Sequence, residues 1–276
     1  MRILLAELAS APADVDRNLE RLDRIASSAR ADLAVFPELF LTGYQIGDRW
    51  HELAVEAGGP VERRLGEIAH RTGGALVVGS PRRHDRRSGE IENVALLATP
   101  DGAVVAQPKR YLPTFGPFEE GSRFTPTSES LPYPVGAARV GLAICYDAFF
   151  PEVTRELALR GAELLVFLSA APITSRALFD RLLPARAIEN ALPLVYVNRV
   201  GVEDGLVFGG GSVALDARGE PVALKPLPLD DATPGERLLE AEIDPKSAGR
   251  WRPFRPVLRD HARSLTAHGA REPRGR

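Results

Sequence analysis

Cys145, the only cysteine in the chain, follows the apolar run Val140-Gly-Leu-Ala-Ile144 and precedes a helix opened by Phe150-Pro151-Glu152. A solitary cysteine is by default a small buried hydrophobe. Its place just past the carboxyl end of a strand argues for more, because side chains there face the crevice in which α/β sheets bind ligands. Two other polar residues share that kind of location: Glu38 after Leu33-Ala-Val-Phe36 and Pro37, and Lys109 after Val104-Val-Ala106, Gln107 and Pro108. Either alone is ordinarily a solvated rim residue. A base, a cation and a thiol together form a working set for nucleophilic catalysis.

A thiol near its ordinary pKa of ~8.5 is mostly protonated at neutral pH, so attack on an unreactive carbonyl needs a nearby base or cation. Glu38 can take the proton. Lys109 can stabilise the thiolate and then the oxyanion of a tetrahedral intermediate, with the backbone N–H of Tyr146 as a second donor. This chemistry needs no organic cofactor and no metal, and none is expected. The five histidines, His51, His70, His84, His261 and His268, are scattered and none follows an apolar strand. A Cys-His dyad therefore has no evident partner. There is no Gly-x-Ser-x-Gly, and Gly209-Gly-Gly-Ser212 lacks the lysine of a phosphate loop, so its glycines are read as serving a close backbone approach.

Elements that can position these groups are legible on either side of them. Leu19, Leu22, Ile25, Ala26 and Ala29 recur at steps of three and four, an amphipathic helix over residues 16–30. A second helix carries Val61, Leu65, Ile68 and Ala69 on one face and stops at Gly73-Gly74 before the strand Ala75-Leu-Val-Val-Gly79. Val94 to Ala98 and Ala103 to Ala106 flank Pro100-Asp101-Gly102 as a β-hairpin. Next come the strand ending at Ile144, a helix over residues 151–160, the buried strand Leu164-Leu-Val-Phe-Leu168, a helix around Pro184 to Ala191, and the strand Leu194-Val-Tyr-Val197. Ser212 to Leu215 and Val222 to Leu224 bracket a turn at Asp216-Ala-Arg-Gly219. Helix-linked and hairpin-linked strands together imply mixed sheets.

The composition is that of a soluble globular protein, 44% hydrophobic and 26% charged over 276 residues, enough to bury a large core. A formal net charge of −2 gives no general attraction to nucleic acid or to an acidic membrane surface. The run Arg82-Arg-His-Asp-Arg-Arg87 reads as a solvated loop. The start, Met1 to Ser10, reads as a first strand rather than a signal peptide because Glu7 interrupts it. No apolar stretch approaches the ~20 residues of a membrane helix. A single cysteine fits a reducing compartment, and the expected location is cytoplasmic. No linker or repeat divides the chain. One domain is expected over residues 1–244, with a basic, proline-rich tail over 245–276 that Trp251 and Phe254 can anchor and whose last dozen residues are mobile.

Three separated motifs resemble the carbon-nitrogen hydrolases of the nitrilase superfamily. They are Val35-Phe-Pro-Glu-Leu-Phe-Leu-Thr-Gly-Tyr44, Lys109-Arg-Tyr-Leu-Pro-Thr-Phe-Gly-Pro-Phe-Glu-Glu-Gly121 and Gly141-Leu-Ala-Ile-Cys-Tyr-Asp-Ala-Phe-Phe-Pro-Glu152. Arg186-Ala-Ile-Glu-Asn190 and the triglycine before Ser212 follow in the family's order. The resemblance implies an α/β fold, a four-layer α-β-β-α sandwich, and a catalytic triad of Glu38 as general base, Lys109 as stabiliser and Cys145 as nucleophile. It also implies a second glutamate that orients the lysine, which falls on Glu120, with Glu119 as the one-residue alternative.

The implied reaction is thiolate addition to a small amide, loss of ammonia or an amine, and hydrolysis of the resulting thioester. Tyr146-Asp147 after the nucleophile is similar to the amidase branches, and Leu39 to Asp48 with Gly116-Pro-Phe118 is similar to aliphatic and ω-amino-amide amidases. A nitrile, an N-carbamoyl compound or glutamine are the alternative substrates, and a catalytically silent protein of the same fold is the remaining one. Tyr44, Phe118, Tyr146 and Phe149 are candidate pocket residues, as is Phe150; each is equally an ordinary core aromatic. Ser169-Ala-Ala-Pro172 lines the expected pocket. Asp147, Arg186 and Glu189 are expected to pair with opposite charges behind the site, with support of the catalytic groups from behind as the alternative. The family also implies a homodimer or larger assembly through the outer helices, here those at Pro151 and near Pro184, with the tail crossing the seam.

Overall fold

The computed structural model describes residues 1–83 and 89–269. The chain opens with β1 (Arg2–Glu7), α1 (Val15–Ala29) and β2 (Leu33–Val35), followed by the short α2 (Trp50–Leu53) and β3 (Val55–Glu56). Next come α3 (Pro60–Thr72), the long β4 (Ala75–Arg83), β5 (Ile91–Ala98), β6 (Val104–Pro108) and the single turn α4 (Glu120–Arg123). Then follow β7 (Pro132–Val135), β8 (Ala138–Ile144), α5 (Pro151–Leu159), β9 (Leu164–Ser169), α6 (Arg176–Asn190) and β10 (Leu194–Asn198). The hairpin β11 (Val200–Glu203) and β12 (Leu206–Gly209) leads to β13 (Val213–Leu215), β14 (Lys225–Leu227), β15 (Arg237–Glu242), α7 (Ala248–Trp251) and α8 (Val257–Gly269).

Local chemistry accounts for the main helices. Asp14 caps α1 by accepting the Arg17 N–H at 3.1 Å. Pro60 and Pro151 occupy first-turn positions where no N–H is required, and Gly73 closes α3 in the left-handed region.

Two mixed sheets result. One runs in the order β14-β15-β1-β2-β4-β5-β6, with β3 beside the end of β4, and the other runs β13-β10-β9-β8-β7. Ile3, Leu5, Val35 and Val77 on one sheet meet Leu142, Ile144, Val166 and Val197 on the other in the central core. The outer face of the first sheet packs Leu4, Phe36 and Leu76 on α1 and α3 through Leu22, Leu65 and Ile68. Leu165, Phe167 and Tyr196 pack outward on α5 and α6 through Leu157, Phe179 and Leu183. These are the four layers of an α-β-β-α sandwich.

Several elements depart from the sequence reading. The helix expected to begin near Pro184 starts at Arg176 and carries Pro184 inside it. Burial of Phe179, Leu183 and Ala187 on one face outweighs the local loss of a hydrogen bond. Residues 222–224 form no strand: Val222 donates one bond to Ala214, and Lys225–Leu227 joins the other sheet beside β15. The strands β7, β14 and β15 and the hairpin β11–β12 escaped notice, being short, proline-bearing or charged. Arg82 and Arg83, read as loop, end β4, where Arg82 pairs with Glu62 at 2.7 Å; His84 to Arg87 lie outside the described residues.

In the tail, the Arg218 guanidinium lies 4.9 Å from the Trp251 ring centroid. Phe254, expected to anchor, is 80% exposed. The helix α8 runs into the stretch expected to be mobile, and residues 270–276 lie outside the description. No helix among the described residues is long and apolar enough to cross a membrane.

Candidate active site

Parallel register brings the chemistry to one edge of the sandwich. β2 lies parallel to β4, and β6, two antiparallel steps on, points the same way, so Glu38 and Lys109 leave their strands at a common end. In the second sheet β8, β9 and β10 are parallel with Ile144 opposite Leu168, which sets Cys145 beside Ser169. Both Leu39 and Cys145 have positive φ, +50° and +45°, although neither is glycine. Sharp turns immediately after Glu38 and at Cys145 aim these side chains across the sheet ends, an uncommon backbone state for bulky residues. Gly79 makes the first turn possible: a Cβ there would lie 2.5 Å from Glu38 Cα and 2.6 Å from the Pro37 carbonyl oxygen.

Lys109 is fully buried, and its Nζ donates to Glu38 Oε1 at 2.7 Å and to Glu120 Oε1 at 2.8 Å. The Tyr44 hydroxyl donates to the same Glu120 oxygen at 2.6 Å, and the Ala170 N–H donates to Glu38 Oε2 at 2.8 Å. Asn93 Nδ2 spans both carboxylates, at 2.9 Å from Glu38 and 3.2 Å from Glu120. The choice between neighbouring glutamates falls to orientation: the Glu120 side chain is 4% exposed and on the lysine, whereas Glu119 is 71% exposed and reaches Arg123.

Burial on its own lowers the Lys109 pKa, but the charges of Glu120 and Glu38 overcome it and the ammonium is retained well above its ordinary range. Burial raises the Glu120 carboxyl, opposed by Lys109 and reinforced by Glu38. Burial, then the negative charges of Glu120 and Glu38, keep Tyr44 a neutral phenol and hence a donor. Burial pushes the Cys145 thiol up and Glu38 adds to this, while Lys109 and a hydrogen bond from Ser169 pull it down. The resting sulfur therefore keeps its proton, and attack requires transfer of that proton to a base. Ser169 is itself held by the Tyr196 hydroxyl at 3.1 Å.

Cys145 opens on a cavity of about 110 Å³ whose walls include Tyr44, Phe118, Tyr146 and Phe149. Phe115, Leu178, Phe179, Ala171 and Pro172 complete most of the apolar lining, while Ser169 stays behind the sulfur. Phe150 instead stacks on Tyr111 at 3.5 Å between ring centroids. Tyr44 and Glu120 also border a second, larger cavity of about 530 Å³ and so form the partition between the two.

Asp147 corrects the expectation of an ion pair. Its carboxylate accepts the N–H groups of Tyr111 at 2.9 Å, Ile144 at 3.0 Å and Arg110 at 3.2 Å. It thus ties the chain after Lys109 to the chain before Cys145, while the Arg110 guanidinium turns away to Glu156. Burial raises its pKa to about 7, against the pull of Lys109 and of these N–H donors. Arg186 does pair with Glu189, at 2.9 Å, and donates to the carbonyl of Ala148 at 2.8 Å, bracing the turn that follows Cys145.

The triglycine behaves as read. Gly210 and Gly211 have φ of +62° and +86°, and a Cβ on Gly210 would meet the Glu7 carboxylate at 2.5 Å. Sequence reasoning missed Asn93, the Ser169–Tyr196 pair and Arg199, which is buried against Glu203 while Glu203 accepts the N–H groups of Tyr44 and Gln45. A polar Asn inside the apolar run Ile91 to Ala98 was the available signal for the first. Among the described residues no cluster of His, Cys, Asp and Glu is placed to hold a metal.

The sandwich and its site define an enzyme of the nitrilase superfamily, a hydrolase of carbon–nitrogen bonds. The chain belongs to the carbon-nitrogen hydrolase family, whose model matches residues 4–253. It is 34% identical over 281 residues to an (R)-stereoselective amidase of a Pseudomonas species, covering 100% of this chain and 97% of that protein. An amidase from Nesterenkonia sp. AN1 is similar in structure, with a TM-score of 0.79, 31% identity and coverage of 97% of this chain and 99% of that one. In a Glu-to-Gln mutant of that amidase, acrylamide has undergone Michael addition at the active-site cysteine. A glutamine-dependent NAD(+) synthetase of Thermotoga maritima is 31% identical over 231 residues, but this chain covers only 39% of it.

Proposed function

We propose that the protein is a cysteine-dependent amidase that converts a small linear amide with an uncharged, apolar acyl group into a carboxylate and ammonia. The observation that carries this reading is the Lys109 ammonium held between Glu38 and Glu120 at 2.7 and 2.8 Å beside a lone protonated thiol. Glu38 takes the Cys145 proton as sulfur bonds to the amide carbon. An ammonium has three N–H donors. Two are engaged by the carboxylates, and the third, with the Tyr146 N–H at the start of the helical turn, stabilises the oxyanion. Collapse breaks the C–N bond, Glu38 returns its proton to the leaving nitrogen, and a thioester remains. Water, deprotonated by Glu38, then attacks the thioester and restores the thiol.

The cavity supports the choice of acyl group. At about 110 Å³ it offers the space of about four water molecules, at ~30 Å³ each, enough for a chain of roughly four or five heavy atoms. Its only charged wall, Glu120, is engaged by Lys109, which leaves nothing to pair with an ω-ammonium group or with the ends of glutamine. Exposed Leu159 and Ile188 on α5 and α6 support pairing of two copies through that face, which light scattering tests.

The reading is tested by ammonia release over a panel of amides of increasing acyl length, with intact-mass detection of a trapped acyl adduct. Cys145→Ala is expected to lose at least about a thousandfold in turnover while keeping its fold. Undiminished turnover by that variant refutes the reading.

A further inference from the structure

Asn93 lies in β5, opposite Pro81 of β4, and is fully buried. Its backbone carbonyl accepts the Lys109 N–H at 2.8 Å, so it fixes the main chain of the lysine as well as touching both glutamates. The amide has only one workable orientation. Turned over, Oδ1 would face two carboxylate oxygens; as it stands, Nδ2 gives one hydrogen to each. The consequence is an Oδ1 that is buried and without a hydrogen-bond partner. An orphaned acceptor in a buried position is a cost that an apolar residue of similar size would avoid, and it calls for an explanation.

We propose that Asn93 is a positioning residue of the hydrolytic site, a clamp whose two amide hydrogens hold the Glu38 and Glu120 carboxylates apart on either side of the Lys109 ammonium. This rests on the amidase reading above. Two carboxylates sharing one ammonium carry a net negative charge and repel each other, and burial leaves that repulsion weakly screened. The amide supplies the missing positive dipole at the point where both oxygens converge. It also fixes the Glu38 oxygen that the lysine shares, so that the carboxylate keeps one orientation. The other ionisable groups facing the pair are Tyr44 and Lys109, with Cys145, Arg199 and Tyr196 acting through charge on one or other member.

Asn93→Asp keeps the shape and replaces the donor with an acceptor, and Asn93→Ala removes both donors. In each folded variant, kcat and KM for an amide are followed from about pH 5 to about pH 9. Alkylation of Cys145 by iodoacetamide is followed over the same range by intact mass, which is unambiguous because the chain has one cysteine. The clamp predicts an acid limb moved up by about one pH unit, kcat lower by about tenfold at neutral pH, and KM changed by less than about threefold. A folded variant with wild-type profiles overturns it. A wild type that turns over no amide, but whose alkylation profile still moves in Asn93→Asp, overturns the amidase reading and upholds the clamp.

If neither variant folds, the test keeps Asn93 intact and compares the wild type with the two glutamate variants, because the chain has only four asparagines to resolve by selective 15N labelling. One side-chain NH2 pair should have one hydrogen moved by Glu38→Gln and the other by Glu120→Gln. Absence of any such pair overturns the clamp.

Discussion

Gly79→Ala adds one methyl group to a residue that carries no chemistry and lines neither cavity beside Tyr44 and Glu120. The added Cβ would sit 2.5 Å from Glu38 Cα, 0.9 Å short of the 3.4 Å at which ordinary contact begins. It would also collide with the Leu39 N–H and with the Pro37 carbonyl oxygen at 2.6 Å. One side must move. β4 is hydrogen-bonded on both sides, to β2 and β5, whereas the turn at residues 37–41 is held to Gly79 by bonds of 3.1 and 3.2 Å, from the Gly79 N–H to the Pro37 carbonyl and from the Leu41 N–H to the Gly79 carbonyl, that the methyl would disrupt. The turn is therefore the softer partner, and Glu38 is displaced by about the missing distance.

A misplacement of ~1 Å in a reacting group costs about a hundredfold, equivalent to ~2.7 kcal/mol of barrier. Overpacking should lower stability by about 1–3 kcal/mol. The assay is kcat and KM for a small amide, with thermal unfolding to establish the fold. The expected result is kcat/KM lower by about a hundredfold, carried by kcat because the cavity walls are untouched. A folded Gly79→Ala protein with kcat/KM within about threefold of wild type would refute the assignment of Glu38 as base or the geometry that holds it.

Glu120→Gln should lower kcat by at least about tenfold while Glu119→Gln leaves it within about twofold, since the first group holds the lysine and the second is solvated; steady-state kinetics separate them. Tyr44→Phe keeps the ring and deletes a donor to Glu120, so the acid limb of kcat/KM should rise by about one pH unit with little change in KM; an unmoved limb counts against the hydroxyl's role. Asp147, raised by burial to about 7, holds a proton in the folded state that the unfolded chain has released above its ordinary value of 3.8. Its contribution to stability is full below that ordinary value and is lost as pH rises through about 7. The difference in unfolding temperature between wild type and Asp147→Asn should therefore change steadily between about pH 4.5 and pH 7 and level off above, and a flat difference would refute the assigned pKa.

Much of the site was legible because strand ends are a local property. Short apolar runs followed by a single polar residue mark where a side chain can leave the sheet, which was sufficient to pick out Glu38, Lys109 and Cys145. Four of the five aromatic residues expected in the pocket, Phe150 being the exception, reach the same cavity, and each lies within nine positions of a catalytic candidate in the chain. The helix at Arg176 was misplaced because a proline that commonly opens helices sits inside this one, tolerated by burial of its apolar face. Asp147 was misread because its partners are backbone N–H groups, which no side-chain pattern announces.

The sequence by itself determined the layered α/β architecture and singled out the thiol, carboxylate and ammonium that leave the sheets at one edge. Periodicity and strand termination are encoded within a dozen neighbouring residues. Tertiary structure alone decided which of two adjacent glutamates meets the lysine, since a single turn of helix directs Glu120 inward and Glu119 to solvent. It also decided that Asn93, 55 positions from Glu38, completes the network, and that Leu178 and Phe179 of α6 close the cavity. Those outcomes depend on how two sheets and their crossover helices dock, and docking is fixed by burial summed over the whole core.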